Sequence, residues 1–234
     1  MSELDDPVVV ELPLRGEWTV EQTPAYRIPS HGTDVLGMRY AYDFIRTDHR
    51  RGTRVHPAGP LRWLLLGGRT EECYGWGATV HAAAPGEVVA AVDGVVERPR
   101  VRPVTDTFAA LRTARRVAAA RAPFDPRDLA GNHVMIRSGD VVALYAHLVT
   151  GSLAVRVGEH VSLGAPIGRV GHSGNSTAPH LHFQLMDSAD PQRARGVPCA
   201  FAAYDVVDGD TRRRVRSGIP ERHQRIVAAP VHQP

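Results

Sequence analysis

A mainly β fold carrying one inserted helix is what this sequence predicts. Three features predict it: short apolar runs rich in Val, Ile, Tyr and Phe, glycine turns at brief intervals between them, and only one stretch built from strong helix formers. Residues 8–45 read as VVVEL, EWTV and the alternating RYAYDFI, separated by Pro and Gly turns. Residues 46–78 lose periodicity through TDHRRGTRVHPAGP and the Gly pairs of LLLGGRTEECYGWG, which reads as an insertion over the surface. The β pattern returns at Ala78 in ATVHAAAPGEVVAAVDGVVERP. The helix follows over 105–121, TDTFAALRTARRVAAAR, with Thr105 or Asp106 as its cap and Pro123 as its stop. Residues 131–187 then supply NHVMIR, VVALYAHL, LAVRVGEHVSLGAPIGRVG and HLHFQLM, brief strands of a compact β fold. Beyond Asp187 the pattern fades into Pro, Gly and Arg, with CAFAAYDVV as one further strand.

This order divides the chain into an N-terminal β extension (1–27), a central domain (28–187) with insertions near 46–78 and 99–130, and a C-terminal extension (188–234). At 234 residues, 43% hydrophobic and 23% charged, the chain has the makings of an ordinary globular domain with a full core. Its formal charge is +3, and every basic residue is arginine. The absence of lysine excludes a P-loop, a Schiff-base enzyme and a biotinyl or lipoyl carrier domain, each of which needs one. The arginines are dispersed apart from short clusters such as Arg115-Arg116 and Arg212 to Arg214, so no nucleic-acid site is expected. No window approaches the ~18 apolar residues of a membrane span, and the N-terminal stretch reads as neither export signal nor anchor. Cys73 and Cys199 form no CxxC pair and are expected to be separate free thiols. Nothing in the sequence sets the oligomeric state.

The histidines carry the chemistry. In a strand, HLHFQL puts His180, His182 and Gln184 on one face and Leu181, Phe183 and Leu185 on the other. Two imidazoles then project together while the apolar trio packs inward. That makes half of a zinc site, since zinc takes nitrogen ligands in tetrahedral geometry. Read the same way, LYAHL places Tyr145 and His147 on one face, opposite Leu144, Ala146 and Leu148. SHGTDVLGMRYAYDF adds His31 and an aspartate, Asp43, set between Tyr42 and Phe44, where a carboxylate is costly unless paired or bound to a cation.

VALYAHL followed by VRVGEHVSLGAPIGRVGHSGNSTAPHLHFQL resembles the defining stretch of the lysostaphin/LytM-type zinc metalloendopeptidases: a YAHL strand, a V-x-x-G-x-x-I-G turn, then G-N-S-T-x-P-H-L-H-F. VHAAAPGEVVAAVDGVV and GNHVMIR resemble the strands that precede it, so the likeness covers roughly 28–187 without the insertions. The resemblance implies a duplicated hybrid motif, barrel-sandwich-like antiparallel sheets with a groove. It also implies one zinc ion per chain, held by His31, Asp43 and His182, with His147 and His180 as catalytic histidines. The first ligand departs from the family pattern, which commonly places it four positions before the aspartate; that position is Arg39, which cannot bind zinc. His31 takes the role by way of a longer loop, with Asp34, His49 and His56 as rivals. Of the remaining histidines, His172 in the GHSGNST turn is the one expected near the cleft. The implied activity is hydrolysis of a peptide, most often a peptidoglycan cross-link or stem peptide, in the cell envelope or outside the cell. The alternative is a non-catalytic LytM-like binding or activator module. No H-E-x-x-H occurs, so a glutamate-base zincin is excluded.

Overall fold

The computed structural model describes residues 4, 6–49, 54–119 and 125–228. Its strands, in chain order, begin with β1 (Val8–Val10), β2 (Glu17–Gln22), β3 (Tyr42–Ile45), β4 (Gly68–Arg69), β5 (Thr79–His81), β6 (Gly86–Val92) and β7 (Arg100–Val101). The central group is β8 (Asn132–Ser138), β9 (Val141–Leu148), β10 (His160–Val161), β11 (Pro166–Arg169) and β12 (His180–Met186). The C-terminal group is β13 (Gly196–Val197), β14 (Cys199–Asp208), β15 (Thr211–Gly218) and β16 (Arg225–Ala228). Helices are α1 (Pro60–Leu66), α2 (Pro103–Ala119) and α3 (Arg127–Ala130).

Among the described residues, twelve strands join one sheet, whose main path runs β1-β14-β16-β2-β3-β12-β9-β8-β6-β10. The centre of that path, β2-β3-β12-β9-β8, is antiparallel throughout. Register fixes which side chains share a face: His182 lies opposite both Asp43 and Ala146, and Phe183 opposite both Tyr42 and Tyr145. Because side chains alternate, Tyr42, Phe44, Tyr145, Leu181 and Phe183 enter the core with Trp18 and Phe201. Tyr42 and Phe44 stack, and the Phe201 ring meets both edge-on at 5.1 and 5.7 Å. Each such ring removed from water contributes about 1.5–3 kcal/mol. The opposite face of the same strands presents Asp43, His182, Gln184, Leu144 and Ala146 to a groove.

The mainly β class and the groove agree with the sequence; several details differ. The pairing is not wholly antiparallel, because β1 runs parallel to β14. The 46–78 segment holds a second helix, α1, whose PLRWLLL run starts with Pro in its first turn after Gly59. Flanking Gly and Pro hid it, although Pro is favourable at a helix start. Helix α2 begins at Pro103, so neither Thr105 nor Asp106 is its cap. Asp106 instead reaches back from within the first turn, where its Oδ2 accepts the Arg102 N–H at 2.7 Å. The expected stop at Pro123 and the helix end at Arg121 lie outside the described residues. RYAYDFI forms strand only from Tyr42, the preceding residues being 3-10 turns. LAVRV forms no strand; it is held by the bond from Ala154 N–H to Ile167 O of β11 and flanked by turns at Val149–Ser152 and Arg156–Glu159. After Asp187 the sequence promised a single strand, yet β14 pairs along most of β15 and β16 pairs β14 with β2. The arginine run of β15 is an exposed strand whose side chains carry no hydrophobic alternation. Both cysteines are buried free thiols, pushed up to about 12 chiefly by burial. Among the described residues, no helix is long and apolar enough to cross a membrane.

Candidate functional site

Asp43 is the hub of the groove. Its position on β3 faces His182 on β12, and the two side chains meet with Asp43 Oδ1 2.9 Å from His182 Nδ1. Its other oxygen, Oδ2, lies 2.9 Å from His31 Nε2. His31 comes from a loop, and the loop explains how a histidine twelve positions before the aspartate reaches it. The Ser30 N–H donates to the Arg39 carbonyl at 2.9 Å and the Ser30 hydroxyl to the Met38 carbonyl at 3.2 Å, so the chain doubles back. His31 thereby arrives beside the segment that leads into β3. Arg39 itself turns away to bond Asp34 at 2.7 Å.

One ligand atom from each of His31, Asp43 and His182 lies within 4.8 Å of the others, the one such cluster among the described residues. Two imidazoles and a carboxylate suit zinc, and three protein donors are one fewer than the four that close a structural zinc site. A further observation fits a polar occupant. Gln22, opposite Asp43 on β2 and lining the same groove, has the one buried side-chain oxygen among the described residues that lacks a hydrogen-bond partner. The rivals for the first ligand are engaged elsewhere. His49 bonds Thr47 and Thr19, His56 stacks on Trp63 beside Glu72, and Asp34 is paired with Arg39.

His147 and His180 stand beside this cluster with ring centroids 4.6 Å apart. His180 follows from strand alternation, but His147 does not. The Tyr145 ring is in the core and its hydroxyl accepts the Ala83 N–H, so the two residues do not share a face as LYAHL implied. His147 instead adopts a left-handed backbone, φ 63°, at the end of β9, which swings its ring into the groove. A non-glycine residue held there is uncommon and marks a local demand on the ring's direction. Both rings have one nitrogen tied to a carbonyl: His147 Nδ1–H donates to Ser173 O at 2.9 Å, and His180 Nδ1–H to Ala178 O at 2.8 Å. Each neutral ring is left with a bare Nε2.

Electrostatics separate the pair. Burial drives the His147 ring well below its usual range, and the neighbouring His180 and His182 deepen the effect. Burial also opposes charge on His180, but Asp43, 3.5 Å from its Nε2, outweighs that and raises it. Burial would raise the Asp43 carboxyl; the imidazoles of His31, His180 and His182 reverse this and hold it well below the usual carboxylate range. The site thus contains a carboxylate, an imidazole of raised basicity and one that stays neutral.

The groove has a volume of about 380 Å³. Its far wall is helix α2, through Thr107, Ala110, Leu111 and Ala114, with Leu129 of α3. His172, expected near the cleft, is fully buried behind it. Its Nε2 accepts from Arg98, and its Nδ1 donates at 2.9 Å to Ser176 Oγ, which in turn lies 3.1 Å from His180 Nδ1. Residues that the sequence did not single out are Gln22, Ser30, Ser176, His133 and the α2 wall. Of these, only Ser176, inside GNST, carried a signal in the motif.

Residues 108–194 match Peptidase family M23. Among curated proteins, the chain is 39% identical over 66 residues to "Peptidoglycan DD-endopeptidase ShyA" of Vibrio cholerae serotype O1, covering 28% of this chain and 15% of that protein. It is 35% identical over 71 residues to "Glycyl-glycine endopeptidase ALE-1" of Staphylococcus capitis, covering 30% of this chain and 20% of that protein. The similarity therefore spans a fifth or less of either relative's length. Among solved structures, the catalytic domain of lysostaphin from Staphylococcus simulans aligns with TM-score 0.38 at 21% identity, covering 78% of this chain and 88% of that one. The catalytic domain of the prophage-encoded M23 protein EnpA from Enterococcus faecalis gives 0.39 at 17%, covering 76% and 88%.

Proposed function

The chain carries a peptidase family M23 segment over residues 108–194, and from it we propose that the protein is a zinc-dependent endopeptidase acting on peptidoglycan cross-links or stem peptides. The observation that carries the reading is the convergence of His31, Asp43 and His182 on one point, with the His147 and His180 rings beside it in an open groove. The names of the two curated relatives support the substrate class.

In this reading His31 Nε2, one or both Asp43 oxygens and His182 Nδ1 hold the ion. Zinc so bound supplies Lewis-acid polarisation of the scissile carbonyl and lowers the pKa of a water from about 15.7 toward ~7. His180 takes the proton from the attacking water at Nε2, its Nδ1–H held by the Ala178 carbonyl. His147 stays neutral and accepts a hydrogen bond from that water at its own Nε2, which orients it. The Ser173 and Ala178 carbonyls fix both tautomers, so neither ring has to reorganise before reacting. Asp43 holds one oxygen toward each zinc-binding imidazole, which keeps the ligand set assembled. The apolar wall of α2 and Leu144 excludes bulk water from one side of the groove. A central domain over 28–187 with its two insertions remains the proposed unit of this activity.

The test is digestion of purified peptidoglycan and of defined muropeptides by the zinc-loaded protein, followed by mass spectrometry. New peptide termini that vanish with a chelator and return with zinc support the proposal. Zinc uptake without cleavage of any member of a broad peptide panel would favour the binding-module alternative.

A further inference from the structure

The zinc-site residues just proposed leave one buried amide unexplained. Gln184 is 1% exposed, two residues beyond His182 on the same face of β12. Its Nε2 donates to the Leu36 carbonyl at 2.7 Å, and its Oε1 lies 2.8 Å from His182 Nε2.

The orientation of this amide is not free. A carbonyl oxygen only accepts, so the end of Gln184 that faces Leu36 must be the NH2 group. The end that faces His182 is then an acceptor, and His182 Nε2 must carry the hydrogen. Nδ1 faces an Asp43 oxygen, which also only accepts, so the nitrogen free to exchange its hydrogen for zinc is Nδ1, the one not committed to Gln184.

The loop that supplies the Leu36 carbonyl is itself shaped for this contact. Leu36 sits at φ 60°, ψ 24°, a left-handed conformation that a non-glycine residue adopts only against its steric preference. Its neighbour Gly37, at φ 73°, leaves no room for a side chain: a Cβ there would meet Met186 Cγ at 2.8 Å and Gln184 Nε2 at 3.2 Å. Two consecutive left-handed residues thus let the backbone close on Gln184.

We infer that Gln184 is a positioning residue that locks His182 in the tautomer presenting Nδ1 to zinc, with the Leu36 carbonyl setting the amide's direction. The inference rests on the zinc reading above, and its test separates the two. In the zinc-loaded protein, nitrogen-15 NMR of the His182 ring places the hydrogen on Nε2, slow to exchange with water. Gln184→Met keeps the volume and removes the acceptor, and it weakens zinc affinity, measured by competition with a chelating dye, by roughly 10- to 100-fold. Gln184→Glu, held protonated by burial and by donating to the Leu36 carbonyl, keeps an acceptor opposite Nε2 and recovers most of that loss. A role in packing alone gives the reverse order, with Met tolerated and Glu harmful, and would overturn the inference, as would a His182 hydrogen found on Nδ1. Gln184→Met binding zinc as tightly as the unmodified protein overturns this inference alone. An unmodified protein that takes up no zinc overturns the metal reading and this inference with it.

Discussion

Acidification should destabilise the metal-free protein through His172 before it reaches the carboxylates. This ring is 1% exposed, its Nε2 faces the Arg98 guanidinium, and burial followed by Arg98 lowers it from 6.5 to about 3. The folded state therefore binds the proton less well than the unfolded chain. Such a group contributes its full stability above the unfolded value of about 6.5, and that contribution is lost as pH falls toward the folded value. At pH 5 the ring lies about 1.5 units into this window; at about 1.36 kcal/mol per unit, the loss between pH 7 and pH 5 is about 2 kcal/mol. His172→Gln can still accept from Arg98 and donate to Ser176, so it should keep the local bonds while abolishing the titration. Urea unfolding of both proteins at pH 7 and pH 5, with chelator present to exclude metal linkage, measures the difference. The unmodified protein should lose about 2 kcal/mol more than the variant over that interval. Equal losses would refute the argument that His172 is buried neutral against Arg98.

Four further outcomes follow from the same geometry. His31→Ala and Asp43→Ala should each abolish stoichiometric zinc by elemental analysis, whereas Asp34→Ala, His49→Ala and His56→Ala should retain it, because none of those three faces the cluster. His180→Ala and His147→Ala should keep near-full zinc and lose roughly 100-fold or more in peptide cleavage. In the metal-free protein, the His180 ring should titrate by NMR above its ordinary value, because Asp43 favours its charged form; titration at or below the ordinary value would contradict that pairing. Phe183→Ala, which empties the centre of the aromatic core beneath the site, should cost about 3–5 kcal/mol by thermal or urea unfolding.

What the sequence made legible was what strict alternation encodes. HLHFQL assigned His180, His182 and Gln184 to one face and Leu181, Phe183 and Leu185 to the other, and β12 obeys this because both neighbours hold it in register. The same rule failed for LYAHL, since a single left-handed residue at the strand end redirects His147, and backbone sign is not written in composition. His31 was readable only through likeness to a family. Its arrival at Asp43 depends on Ser30 bonding Arg39 across a nine-residue separation, a tertiary closure without a local signature. Strand β15 escaped notice because an exposed strand needs no apolar alternation and the arginine-rich TRRRVRSG resembles a solvated tail, and β16 because its four residues, of which only Ile226 is buried, are too few to show a pattern. The helical wall of the groove was foreseen as a helix but not as part of the site, since nothing in TDTFAALRTARR says what lies beneath it.

Diffraction from zinc-loaded crystals, with an anomalous difference map recorded on either side of the zinc absorption edge, tests the central claim most directly. One peak per chain is expected, bonded at about 2.0–2.2 Å to His31 Nε2, an Asp43 carboxylate oxygen and His182 Nδ1, with the His147 and His180 rings outside bonding distance. A peak bonded to His147 or His180 in place of any of these three, or located at His49 or His56, would contradict it.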